Sequence, residues 1–139
     1  MIKQINDNNV YLEILDKLKK VKNSKITPNL LYTYMVSEAI DKSSITLVSY
    51  GKEDMNGCVV LKIFTKDDGE KNFFMTFIWI DAHYPNLMKE MVDFGNEKAK
   101  ELNIKKIVFA TGRDEKIIQR RMGKYGFNKI YSTYAKDVI

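Results

Sequence analysis

Phe73-Phe74-Met75-Thr76-Phe77-Ile78-Trp79-Ile80 is the stretch on which the architecture turns. It is apolar except for Thr76 and rich in aromatic and β-branched side chains, which predicts a strand buried on both faces and marks the centre of a sheet. Asp67-Asp68-Gly69 ahead of it is a strong turn signal. Beyond Pro85, Leu87, Met88, Met91, Val92, Gly95, Ala99 and Leu102 recur at helical spacing, and Asn103 makes a C-terminal stop. Lys106-Ile107-Val108-Phe109-Ala110-Thr111 then reads as a short apolar strand closed by Gly112. A strand, helix and strand of these lengths form a right-handed crossover, so the two strands are parallel.

Working outward, Ile45–Tyr50 and Cys58–Phe64 read as strands, separated by Gly51 and by Asn56-Gly57. Nearer the start, Val10, Ile14, Leu18 and Val21 line one face of a helix that follows Asn9. Thr27-Pro28 supplies an N-cap and a first helical residue for a second helix running to Asp41. At the other end a helix from Asp114 to Lys124 stops at Gly126, and Ile130–Ala135 alternates as a closing strand. The expected fold is α/β, with a mixed, mainly antiparallel sheet flanked by helices. Residues 1–139 are expected to form one domain, 1–43 helical and 44–139 carrying the sheet and the crossover helices.

Composition removes several classes of function. The chain has 139 residues, 45% of them hydrophobic, with 23 Lys+Arg against 18 Asp+Glu for a net charge of +5. That supports a core and excludes wholesale disorder. No apolar run approaches the ~20 residues of a membrane-spanning helix, so no membrane role is expected. Cys58 is the single cysteine and His83 the single histidine, which leaves no internal disulfide and no structural metal site. The first residues lack the apolar core of a secretory signal, which predicts an intracellular or particle-bound location. The aromatics lie inside strand runs and do not alternate with exposed arginine, so nucleic acid is not an expected partner.

Glu101-Leu102-Asn103-Ile104-Lys105-Lys106-Ile107-Val108-Phe109-Ala110-Thr111, with Tyr125-Gly126-Phe127 after the last helix, resembles the second half of the GCN5-related N-acetyltransferase (GNAT) superfamily. The resemblance covers roughly Ile45 to Val138. More narrowly, Arg120-Arg121-Met122-Gly123-Lys124-Tyr125-Gly126-Phe127, followed by Ile130-Tyr131-Ser132-Thr133-Tyr134, is similar to the ending of small GNAT-like proteins of tailed bacteriophages. The resemblance implies a GNAT-like acyl-CoA N-acyltransferase fold. It also implies a loop between the long strand and the long helix where backbone N–H groups meet the coenzyme A diphosphate above a helix N-terminus.

Aligned on Ile107, that loop is His83-Tyr84-Pro85-Asn86-Leu87-Met88, so the resemblance implies His83, Tyr84, Asn86, Leu87 and Met88 as the cofactor-binding residues. Asn86 and Met88 stand where small residues are expected, and Pro85 removes a donor. Glu115 and Met122 occupy the places of a helix-start Asn and of the Tyr that protonates a departing thiolate, which leaves Tyr125 and Tyr131 as substitutes. His83 also reads as an ordinary surface residue. Glu53, Asp54, Asp81 and Glu115 read either as proton acceptors or as solvated charges. Trp79 with Phe73, Phe74 and Phe77 reads as core before it reads as an acyl tunnel. Arg113, Lys116, Arg120 and Lys124 form a cationic stripe, solvated or protein-facing.

These departures favour a non-catalytic GNAT-fold protein with no bound cofactor, whose partner is another protein, such as a component of a phage particle. The alternative is an acyl-CoA-dependent N-acetyltransferase using acetyl-CoA on an amine.

Overall fold

The computed structural model describes residues 1–21, 24, 26–110, 115–130 and 136. In chain order they form β1 (Ile2–Gln4), α1 (Asn8–Leu18), α2 (Pro28–Asp41), β2 (Ser44–Tyr50), β3 (Met55–Thr65), β4 (Lys71–Ile80), α3 (Leu87–Glu101), β5 (Lys106–Val108) and α4 (Glu115–Met122), the last running into a 3-10 turn at Gly123–Tyr125.

Local chemistry explains the helix ends. Asp7, two residues earlier than expected, caps α1 by accepting from the Asn9 N–H at 2.8 Å. Thr27 caps α2 through its Oγ1 at 3.2 Å from the Leu30 nitrogen, with Pro28 directly after it. Asn103 leaves α3 at φ 57°, and the Ile104 N–H closes back onto the Ala99 carbonyl at 2.8 Å. Gly126 ends the last helical segment at φ 91°, a backbone conformation open to glycine at no steric cost.

The sheet has five strands in the order β1-β2-β3-β4-β5, antiparallel throughout except for the parallel β4–β5 pair. The mixed, mainly antiparallel α/β architecture is therefore as expected, and the crossover through α3 sets the parallel direction. Three details correct the sequence reading. A first strand, β1, pairs with β2 through Ile2, Lys3 and Gln4. Asn56 and Gly57 belong to β3 and are buried, so the connection between β2 and β3 lies at residues 51–54. The strands buried on both faces are β2, from Ser44 to Ser49, and β3, where every residue from Met55 to Leu61 is buried. β4 lies one place nearer the edge than β3.

The apolar run of β4 has a different cause. Val60 pairs with Phe77 and Leu61 with Met75, so Thr76 is an extra residue whose Oγ1 donates to the Val60 carbonyl at 3.0 Å. This bulge reverses the alternation. Phe73 and Met75 pack into the core beneath α3, whereas Phe77 joins the core beneath α1 and α2. The expected closing strand at 130–135 falls, beyond Ile130, outside the described residues. Among the described residues no helix is long and apolar enough to cross a membrane.

Candidate functional site

Five pieces of chain meet at the end of the sheet where β4 finishes. They are the turn after Tyr50, the start of β3, the loop 81–86, the N-terminus of α3 and, on the opposite face, the last turns of α1. The parallel pairing explains why this end is accessible. β5 pairs with β4 only at Asn72, Phe73 and Phe74, so among the described residues β4 from Met75 onward is paired on its β3 side alone. A strand edge of this kind presents backbone N–H and C=O groups to a ligand. Met75, Ile78, Met91, Gly95, Ile107 and Phe127 meet where the strands part, around an apolar cavity of ≈ 10 Å³.

The loop consumes much of its own donor capacity. The Asp81 N–H donates to the Asn56 carbonyl at 2.8 Å, the Tyr84 N–H to the Asp81 carbonyl at 3.0 Å and the Leu87 N–H to the Tyr84 carbonyl at 3.2 Å. The His83 N–H donates to Asp81 Oδ1 at 2.9 Å, and the His83 ring nitrogen Nδ1 lies 2.8 Å from the same oxygen. Pro85 has no N–H. On α3 the Glu90 N–H reaches the Asn86 carbonyl at 3.2 Å. Met88 and Lys89 are first-turn residues whose N–H groups point out of the helix toward its positive end.

The hydrogen bonds from the His83 amide and ring hold the Asp81 carboxyl below the usual carboxylate range. Asp81 in turn orients the imidazole, whose side chain is 90% exposed and presents Nε2 outward. Tyr84 lies against the backbone of Gly51, where an added Cβ would stand 2.6 Å from its hydroxyl oxygen. Asn56 is buried beside them, and its Oδ1 has no hydrogen-bond partner among the described residues.

On the other face Lys17 Nζ lies 4.7 Å and Lys20 Nζ 5.9 Å from the centre of the Trp79 ring. The Tyr50 hydroxyl donates to Glu13 Oε1 at 3.3 Å.

His83, Tyr84, Asn86, Leu87 and Met88 are therefore together at one end of β4, with Leu87 buried, Met88 half-buried and the other three exposed. Tyr125 is elsewhere, half-buried against the core beneath α3, with Lys124 Nζ 5.2 Å from its ring centre. Met122 is buried in that same core. Tyr131 and Arg113 lie outside the described residues, as does the side chain of Glu115. Glu53 and Asp54 are exposed in the β2–β3 connection. Among the described residues no group of His, Cys, Asp and Glu side chains is arranged to hold a metal ion. A larger cavity of ≈ 590 Å³ lies between α3 and β5, lined by Asp93, Glu97, Lys100 and Lys106, toward the far end of the sheet.

Solved structures share this fold over nearly the whole chain. A ribosomal-protein-alanine N-acetyltransferase from Brucella melitensis biovar Abortus 2308 superposes with a TM-score of 0.71 at 14% identity, covering 99% of both chains. An aminoglycoside 6'-N-acetyltransferase from Acinetobacter haemolyticus gives 0.75 at 14% identity, covering 100% of this chain and 99% of the other. The chain has the GNAT-type acyltransferase fold. AAC(6')-Iy in complex with the bisubstrate analogue CoA-S-monomethyl-acetylneamine superposes at 0.74 with 12% identity, covering 99% and 98%. No protein-family model matches the sequence, and no curated protein does. At such identities the fold persists in the apolar spacing while individual site residues drift.

The sequence reading missed Gly51, Asn56, Lys17, Lys20 and the exposed face of Trp79 as parts of this site. The only signal was the density of lysine after Asp16, which reads equally as a solvated helix end.

Proposed function

We propose that the chain is an acyl-CoA-dependent N-acetyltransferase. The observation that carries this is the edge of β4 beyond Thr76, which among the described residues has no strand partner on its β5 side and lies between the α3 N-terminus and the lysines at the end of α1 within the GNAT fold. Acetyl-CoA supplies the acetyl group as a thioester. The N–H and C=O groups of β4 from Ile78 onward suit the amide-bearing pantetheine arm, in the manner of strand addition. The Met88 and Lys89 amides and the α3 dipole suit a diphosphate. The fit is partial, because Pro85 and the internally bonded amides of Asp81, His83, Tyr84 and Leu87 leave fewer donors than a glycine-rich loop would.

The residues of the chain divide the remaining work. The Asp81–His83 pair presents an imidazole Nε2 able to take a proton from an incoming amine at this end of β4. Closely packed apolar residues around Met75, Ile78 and Phe127 exclude water from the point where the strands part.

A second reading, a non-catalytic scaffold with a protein partner, is favoured by one observation, the self-bonded loop. Isothermal titration with acetyl-CoA separates the two. Saturable micromolar binding is expected, and silence at millimolar ligand leaves only the scaffold. Pro85→Ala restores one N–H, and it should tighten binding by about tenfold, the value of one added hydrogen bond to an anion.

A further inference from the structure

Resting on the transferase reading above, we propose that the acceptor amine carries an anionic group, a carboxylate or a phosphate, seated by Lys17 and Lys20 over Trp79. Lys17 is in the last turn of α1 and Lys20 in the turn that follows, where its N–H donates to the Lys17 carbonyl at 3.0 Å, and both ammonium groups lie within cation–π distance of one indole. Among the described residues neither has a carboxylate within ion-pair distance, whereas Lys19 between them turns away to Asp16 at 3.5 Å.

The nearest acids are engaged elsewhere. Glu13 accepts from the Tyr50 hydroxyl, and Asp81 accepts from the His83 amide and ring. Lys17 is half-buried, so its charge is less well solvated than that of a free surface lysine. Two like charges held against one aromatic floor repel each other, and an anion bridging them removes that repulsion.

The position ties this pair to the acceptor and not to the coenzyme. Trp79 lies beyond the bulge, on the stretch of β4 left uncovered by β5, and it packs with the α1 and α2 side of the sheet. The helix N-terminus suited to the diphosphate is that of α3, whose buried Leu87 and Met91 belong to the core on the opposite face. An acceptor held by Lys17 and Lys20 therefore approaches the β4 edge from the side away from the coenzyme's phosphates.

Trp79 is the single tryptophan of the chain, so its fluorescence reports this site directly. O-phosphoethanolamine or the dipeptide Ala-Glu is titrated against the full chain, with ethanolamine and alaninamide as neutral counterparts. A saturable change with at least one anionic probe, and none with its neutral counterpart, is expected, and the probe that acts identifies the anion. Lys17→Gln with Lys20→Gln should weaken that response by about tenfold while acetyl-CoA binding heat stays unchanged. Lys17→Arg with Lys20→Arg should retain it. Unaltered Trp79 emission with both anionic probes, equal affinity in the Gln pair, or a response confined to an oligonucleotide would each overturn the proposal. If acetyl-CoA fails to bind while an anion still titrates Trp79, the transferase reading falls and the anion site stands.

Discussion

Cys58, fully buried in β3 opposite Trp79, has its thiol pushed up to about 12 by burial. The native protein should therefore give no reaction with Ellman's reagent over an hour and one thiol per chain in denaturant. Rapid native labelling would show that β3 opens locally. Glu38 is a different case, because its Oε2 is buried without a hydrogen-bond partner among the described residues although Gln4 Nε2 donates to Oε1 at 2.7 Å. Burial raises its pKa, so the folded state binds the proton more tightly than the unfolded chain does. Its contribution to stability is fully present below the unfolded carboxyl pKa and is lost as pH rises through the raised folded value. Glu38→Gln should therefore raise the melting temperature at pH 7 and flatten its dependence between pH 4 and 7, as measured by thermal unfolding. Tyr11 is 3% exposed, and its hydroxyl likewise has no hydrogen-bond partner among the described residues. Removing an unpaired buried hydroxyl is close to neutral, so Tyr11→Phe should change stability by less than about 1 kcal/mol.

At the scale of elements, the bulge in β4 governs which side chains reach which core. Because Thr76 is the extra residue, deleting it restores strict alternation and leaves Phe77 and Trp79 on the α1 face and Ile78 and Ile80 on the α3 face. Such a variant should therefore keep cooperative urea unfolding. Thr76→Val keeps the extra residue and loses only the bond to Val60, at a cost of about 1 kcal/mol. Loss of cooperative unfolding in the deletion variant would refute this account of the strand. The helices were legible from the sequence because their caps and stops are local. Thr27 with Pro28, the Asp68-Gly69 turn and the Asn103 stop each act within a few residues. β4 was misread for a physical reason: a bulge that switches faces and a strand buried on both faces leave the same continuous apolar run.

At the scale of the whole molecule, β1 closes the sheet from the beginning of the chain. It covers the outer edge of β2, and the Ile5 N–H extends the ladder to the Thr46 carbonyl at 3.0 Å. Removing residues 2–5 should bare that edge, lower the unfolding midpoint by several degrees and promote concentration-dependent aggregation, as seen by calorimetry and light scattering. Its three short residues carry no periodicity a sequence can display, and only pairing with β2 makes them a strand. The candidate site shows the same division. The loop from His83 to Met88 was located by its distance from Ile107, because a crossover of fixed length and hand brings every such loop to the end of its strand. What the sequence determined by itself was thus the helices, the turns and the direction of the crossover, all set by backbone sterics and periodicity over short spans. The tertiary structure alone decided that β4 is bulged and, among the described residues, paired beyond Phe74 on its β3 side only, that Asn56 and Gly51 back the loop, and that Lys17 and Lys20 stand over Trp79. Those contacts join residues far apart in the chain, and they exist only after the packing of two cores has brought them together.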